Sequence, residues 1–309
     1  MSRMKNCSRS SGLLLTLLTG LLVTAPLQAQ LPERLRDFPL ATPGASGEAV
    51  APMFNGWVRN EDGSVTMIFG FANLNRETTV DVPLGPNNKL EPAQFDGVQP
   101  THFPVYNRGG FVGIQERGTF GVTVPADMAN IDVVWTLTSG GKTYSIPGRA
   151  KSPAYELSAG EAAAGSLRPA IRLSEGGEES INEVGIYSEP KVVSVGESLT
   201  LSAQIQDRGI RYGYEGVEPY YAPGSEWLLH QGPAVPDIET ARISGRKRAQ
   251  EDPDSNTTNA WYDVSTELTF PEPGEYVIRL RADNFLATDS KFDNVCCWSN
   301  AYFPVTVNP

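Results

Sequence analysis

The chain reads as all-β, two antiparallel β-sandwiches joined by a flexible linker. Three observations predict this. Apolar residues recur with period two over short runs, as in Leu199, Leu201, Ala203 and Ile205. Glycine, proline, asparagine and Asp-Gly punctuation falls between the runs at roughly 8–12-residue spacing. No window of about 12 residues or more keeps a helical period.

The N-terminal 29 residues differ from everything after them. Arg3, Lys5 and Arg9 precede the apolar run Leu13–Val23, and Leu27-Gln28-Ala29 offers small residues for cleavage. This pattern predicts a secretory signal peptide over 1–29, and hence a periplasmic or secreted chain. The apolar run is short of the ~20 residues that a bilayer span needs, and no later stretch approaches it. Residues 30–51, rich in Pro, Ala and Gly, predict a flexible lead-in.

The first sandwich is expected over 52–151. Phe54, Trp57 and Val58 open a strand that meets Asn60-Glu61-Asp62-Gly63, and Ser64–Phe71 returns beside it. Asp-Gly suits the turn because glycine accepts positive φ. Further strands are expected at Thr78–Val82, Gly110–Glu116, Thr119–Val124, Ile131–Thr138 and Lys142–Ile146. The linker is expected over 152–185, where small and acidic residues offer little to bury, with a short helix at Ala159–Ala164.

The second sandwich is expected over 186–309. Val193 and Val195 lead through Gly196-Glu197 into the alternating run Leu199–Ile205. Trp227-Leu228-Leu229, Glu267–Phe270, the alternating Tyr276–Ala282, and Val305 with Val307 supply the later strands. The words Val195-Gly196-Glu197-Ser198-Leu199-Thr200-Leu201, the mid-domain Trp227 and Pro273-Gly274-Glu275-Tyr276-Val277-Ile278-Arg279-Leu280 resemble immunoglobulin-like and PKD-like domains of secreted bacterial proteins. That resemblance implies that Tyr276 packs at a corner and bonds a nearby backbone group through its hydroxyl. It implies a spacer or adhesion context, not an activity. The first half, with Phe54-Asn55-Gly56-Trp57 and Pro100-Thr101-His102-Phe103, resembles a β-module of secreted bacterial proteins that has no assigned function.

The composition excludes several functions. The net charge of −11 repels nucleic acid and anionic lipid. There are two histidines, His102 and His230, so a two-histidine zinc helix is impossible within either half. His102 is expected to be a loop hydrogen-bonder. No nucleophile elbow or phosphate-binding glycine loop is present. No catalytic residue is assigned, and the chain is not expected to be an enzyme.

The candidate ligand-binding residues are Arg211, Tyr212, Tyr214, Tyr220 and Tyr221, in a glycine-rich insertion between two strands. Tyrosine with arginine is the vocabulary of recognition loops, because a rigid ring offers contact area at low entropic cost. The adjacent Cys296 and Cys297 could close a vicinal disulfide in an oxidising compartment. No cofactor is assigned. Calcium is the ion that Asp283, Asp289 and Asp293 would suit, and the cluster Glu251–Asn256 is expected to be a solvated loop. Arg246-Lys247-Arg248 reads as an exposed, protease-sensitive loop.

The function expected is an exported binding, adhesion or scaffold protein with a protein or glycan partner at the cell envelope. The alternatives are an accessory carbohydrate-active protein with paired carboxylates, and a spacer subunit of an envelope assembly.

Overall fold

The computed structural model describes residues 44–106, 114–159, 165–210, 221–257, 259–284 and 298–309. They form two sandwiches of mainly antiparallel sheet within one compact unit. No helix among these residues is long and apolar enough to cross a membrane.

The first sandwich holds β1 (Val50–Arg59), β2 (Val65–Asn73), β3 (Val80–Asp81), β4 (Asn88–Glu91), β5 (His102–Phe103), β6 (Gln115–Val124), β7 (Val133–Ser139) and β8 (Lys142–Gly148). One sheet runs β1-β2-β6, another β4-β7-β8, and β3 pairs β5. The expected hairpin is β1–β2, with Gly63 at φ +82° in its turn. Between the sheets the aromatic rings do the filling. Trp135 meets Phe120 edge-on at 5.0 Å, and Phe69 stacks on Phe120 at 5.2 Å. The indole N–H of Trp135 donates to Asn88 Oδ1 at 3.0 Å, which lets that polar pair stay in the core.

The second sandwich holds β9 (Ala170–Arg172), β10 (Glu179–Ser180), β11 (Ile186–Tyr187), β12 (Lys191–Ser194), β13 (Ser198–Gln206), β14 (Gly224–Gln231), β15 (Asp237–Ile238), β16 (Arg242–Ile243), β17 (Trp261–Thr269), β18 (Gly274–Asp283) and β19 (Trp298–Asn308). One sheet runs β10-β9-β13-β17-β15, the other β11-β19-β18-β14-β16, with β12 also on β19. Leu201, Ile205, Trp227, Val264, Leu268, Ile278, Leu280, Phe303 and Val305 fill the space between them. Tyr276 is buried against Phe270, and its hydroxyl donates to the Glu272 carbonyl at 2.9 Å, the corner that the resemblance implied.

Several expectations take a different form. β12 and β13 are not a hairpin: Gly196 turns the chain from one sheet to the other, and β12 and β11 pair with β19 in parallel. The stretch expected as a linker carries β9 and β10 in its later part, and β9 pairs with β13. Backbone pairing of β9 with β10 and β13, with Arg172 Nε donating to Gln204 Oε1 at 2.7 Å, orders this part although it is poor in apolar residues. Arg246-Lys247-Arg248 lies in a short helix, Gly245–Glu251, capped by Ser244, whose hydroxyl accepts from Lys247 N. Arg248 packs over Tyr262 and bonds Pro223 O and Ser225 Oγ. Most of the strand expected at Gly110–Glu116 and of the helix expected at Ala159–Ala164 lies outside the described residues.

Candidate functional site

Two places gather polar chemistry: the seam between the sandwiches, and the end of the second sandwich where its long connections begin.

The seam starts from strand alternation. In β18, Ile278 and Leu280 point into the core, so Arg279 and Arg281 point out of it. The same parity places Glu226 and His230 of β14 and Asn300 and Tyr302 of β19 on that outer face. A face written this way is expected to meet water. Instead it is covered by β6 of the first sandwich.

β6 can reach across because it bulges. Its register against β2 shifts between Phe69 and Phe71 of β2, and β1 shifts opposite, between Phe54 and Gly56. Gly118 sits in the bulge at φ +62°, and a Cβ there would lie 3.1 Å from the Trp298 ring. Glycine is therefore required both for the conformation and for the approach. The bulge presents Glu116 and the Thr119 carbonyl to the arginines.

The resulting contacts are close. Glu116 Oε1 accepts from Arg279 at 2.6 Å and from Arg281 at 2.9 Å. Arg279 also donates to Thr119 O, and Arg281 to Glu226. Asp283 lies 3.6 Å from Arg281. Glu116 is 0% exposed and each arginine 3%. Burial alone would lower the Arg281 guanidinium, but Glu116, Glu226 and Asp283 outweigh it and raise it well above its ordinary value. Burial, helped by Glu116 and Glu226, likewise raises the Tyr106 phenol.

Around this cluster the backbones are stitched together. Asn300 Nδ2 donates to Gly118 O and Glu183 O, each at 3.1 Å. Gly121 N donates to Glu183 O at 3.1 Å. The Glu183 side chain is itself buried, with its acidity weakened by desolvation although Arg168 lies 3.2 Å away. On the other flank Thr101 N donates to His230 O at 2.9 Å, and His230 Nε2 donates to Val98 O at 2.9 Å. Burial and the neighbouring Arg279 push His230 down to about 3, so it is neutral with its proton on Nε2.

Chemically the seam is a clamp. Glu116 and Glu226 are a converging carboxylate pair, but both are committed to the Arg281 guanidinium. His230 is neutral and bonded. His102 lies on strand β5 and not in the loop expected of it, and its Nδ1 contacts Asp81 Oδ1 of the paired β3 at 2.7 Å.

The second place is built by strand ends. β13 ends at Gln206, opposite Trp261 of β17, and β14 begins at Gly224, opposite Asp283 of β18, itself opposite Trp298 of β19. The connections 207–223 and 284–297 and the excursion before β17 therefore all leave one end of the sandwich. Tyr221 is tied to the last of these, its N–H donating to Asn256 Oδ1 at 2.8 Å. Arg211, Tyr212, Tyr214 and Tyr220 lie outside the described residues, as do Cys296, Cys297, Asp289 and Asp293. Asp283 is described, and its carboxylate lies 3.6 Å from Arg281, two residues back on the same strand. Among the described residues no three His, Cys, Asp or Glu side chains gather as a metal site.

Sequence reasoning missed the seam residues. Arg279 and Arg281 sat in plain view as alternating partners of core residues, but parity says only which face a side chain takes, not what covers that face.

The architecture is thus that of paired immunoglobulin-like sandwiches. No protein-family model matches the chain. No curated protein matches it either. Among solved structures it is similar to the CARDB domain of a Pyrococcus furiosus protein crystallised with di-metal ions, at 12% identity over 47% of this chain and 96% of that one, TM-score 0.27. It is similar to the D0-D1 domain of intimin at 8% identity over 84% of this chain and 100% of that one, TM-score 0.24. It is also similar to the Yersinia pseudotuberculosis adhesin InvE at 9% identity, over 82% of this chain and 58% of that one, TM-score 0.20. These scores are too low to bear on function.

Proposed function

We propose that this chain is an exported, non-enzymatic binding module of the cell envelope or its surroundings, with its partner, a protein or a glycan, held at the loop end of the second sandwich. The observation that carries this reading is that the long connections start at neighbouring strand ends of the second sandwich, Gln206 on one sheet and Gly224, Asp283 and Trp298 on the other. Sites built from loops on a fixed scaffold suit recognition. The insertion that contains Arg211, Tyr212, Tyr214, Tyr220 and Tyr221 supplies amphipathic rings there. The commitment of the buried acids and of His230 to the seam supports a non-catalytic role.

The test is capture of envelope and glycan extracts by the full chain, with and without calcium, beside a Tyr212→Ala, Tyr214→Ala, Tyr220→Ala, Tyr221→Ala variant. The expected outcome is a defined captured species that the variant loses while keeping its thermal unfolding midpoint. Unchanged capture by the variant would sink the assignment of this face. Release of reducing ends from a polysaccharide by the purified chain would replace it with the carbohydrate-active reading.

The seam favours a second reading, a spacer. A clamp of buried ion pairs fixes two sandwiches to each other, which a load-bearing subunit needs. In that case the chain co-migrates with a large envelope assembly on size exclusion, and the loop variant remains in it.

A further inference from the structure

Away from both places, the first sandwich carries an open groove of about 490 Å³. That is the scale of a small-ligand site. Phe54, Ile146, Pro147 and Tyr155 give it an apolar floor, and Arg149, Lys151 and Ser152 form its rim.

The floor is built, not incidental. The turn Pro153–Tyr155 is tied to β1 on both sides. Trp57 Nε1 donates to Ser152 O at 3.0 Å, and Leu157 N donates to Trp57 O at 2.9 Å. Gly56 lets the segment lie close, since a Cβ there would come within 2.6 Å of Tyr155 O. The result holds Tyr155 54% exposed, with its ring 5.9 Å from that of Phe54. The exposed Tyr155 ring is thus set beside the half-buried Phe54, which packs on the core through Phe69.

The rim adds charge. Arg149 Nε bonds Asp132 at 2.7 Å, and Lys151 bonds the same carboxylate at 3.2 Å. One acid shared by two cations leaves a local surplus of one positive charge, on a chain whose net charge is −11. Among the described residues Arg149 makes no other hydrogen bond, so its two terminal nitrogens are free to take a carboxylate as a fork.

We propose that this groove binds an acidic sugar, one uronate residue within an otherwise neutral glycan. Its C–H face lies on Phe54 and Tyr155, its carboxylate on Arg149 and Lys151, and its hydroxyls near Ser152 and the Tyr155 phenol. A single uronate fits better than a polyanion, because the chain as a whole carries a net charge of −11 and repels extended negative charge. The paired rings of Phe54 and Tyr155 likewise suit the flat C–H face of a sugar better than an acidic peptide.

Titration calorimetry of the full chain at low salt, with xylotriose bearing one glucuronic acid as the probe, tests this. Binding is expected, and it should weaken at least tenfold for the methyl ester of the same saccharide. Arg149→Gln with Lys151→Gln should weaken it at least tenfold, and Tyr155→Ala at least fivefold. Asp132→Asn should tighten it severalfold, by releasing both cations. The Tyr212→Ala, Tyr214→Ala variant should bind as the parent does. No binding, equal binding of the ester, indifference to Tyr155→Ala, or loss in the Tyr212/Tyr214 variant would each overturn the proposal. Equal affinity for a tetrapeptide with one glutamate would overturn the assignment to sugars.

Discussion

The two faces of β18 make an instructive pair. Leu280 and Arg281 are neighbours in the chain and almost equally buried, at 0% and 3% exposure. Leu280 is buried between the two sheets of one sandwich, where contact is non-directional and other apolar shapes of similar volume would serve. Arg281 is buried between two sandwiches, where its value depends on Glu116, Glu226 and Asp283 standing in the right places. The interior supplies stability, and the seam supplies a particular docking at little net gain. A buried ion pair roughly repays its own desolvation, but a broken one leaves a stranded charge.

The comparison breaks most sharply at Glu116. Glu116→Ala takes from Arg279 its carboxylate partner and leaves Arg281 with Glu226 and Asp283, and it should cost about 3–5 kcal/mol in denaturant unfolding. Leu280→Ala should cost a similar amount, about 2–5 kcal/mol. Rescue separates them. Replacing Glu116, Glu226, Arg279 and Arg281 together with apolar residues of like volume should restore most of the loss, whereas no change elsewhere refills the Leu280 cavity. Failure of that rescue would mean that the seam contributes net stability of its own.

Acid should act on the seam before the core. His230 has a folded value of about 3 against an ordinary 6.5, so the unfolded chain takes its proton first. Its contribution is full above pH 6.5 and is lost as pH falls toward 3. The slope amounts to about 2 kcal/mol between pH 6.5 and 5. Glu183, raised by burial, works with the opposite sign. The difference between the parent and His230→Gln therefore isolates the histidine, and the variant should show the flatter pH profile. Parallel profiles would show that His230 is reached by water.

The smallest expected effect belongs to the tyrosine corner of the second sandwich. Tyr276→Phe removes the bond to Glu272 O and should lower stability by about 1 kcal/mol, read from the unfolding midpoint. A loss of several kcal/mol would mean that the corner behaves like the seam.

Much of the fold was legible. Alternation at Leu199–Ile205 and Tyr276–Ala282 marked β13 and β18, and Asp62-Gly63 marked the first hairpin. The corner at Tyr276 followed from Pro273-Gly274-Glu275-Tyr276. What escaped was pairing partner and cover. Gly196 reads as a hairpin turn, yet a turn residue does not say whether the next strand stays in the same sheet. The stretch around Glu183 reads as solvated, because composition reports the cost of burying a polar group and not the bond that offsets it. The bond from Tyr221 N to Asn256 Oδ1, 35 positions away, was not legible in either segment.

Local spacing decided which residues face inward, because side-chain direction in an extended chain follows from its two-residue repeat. Which outward faces stay in water was decided only when distant segments met. The bulge at Gly118 and the arginines of β18 are some 160 positions apart. Nothing in either segment's own period encodes that a carbonyl and a carboxylate from one will replace the water around the other.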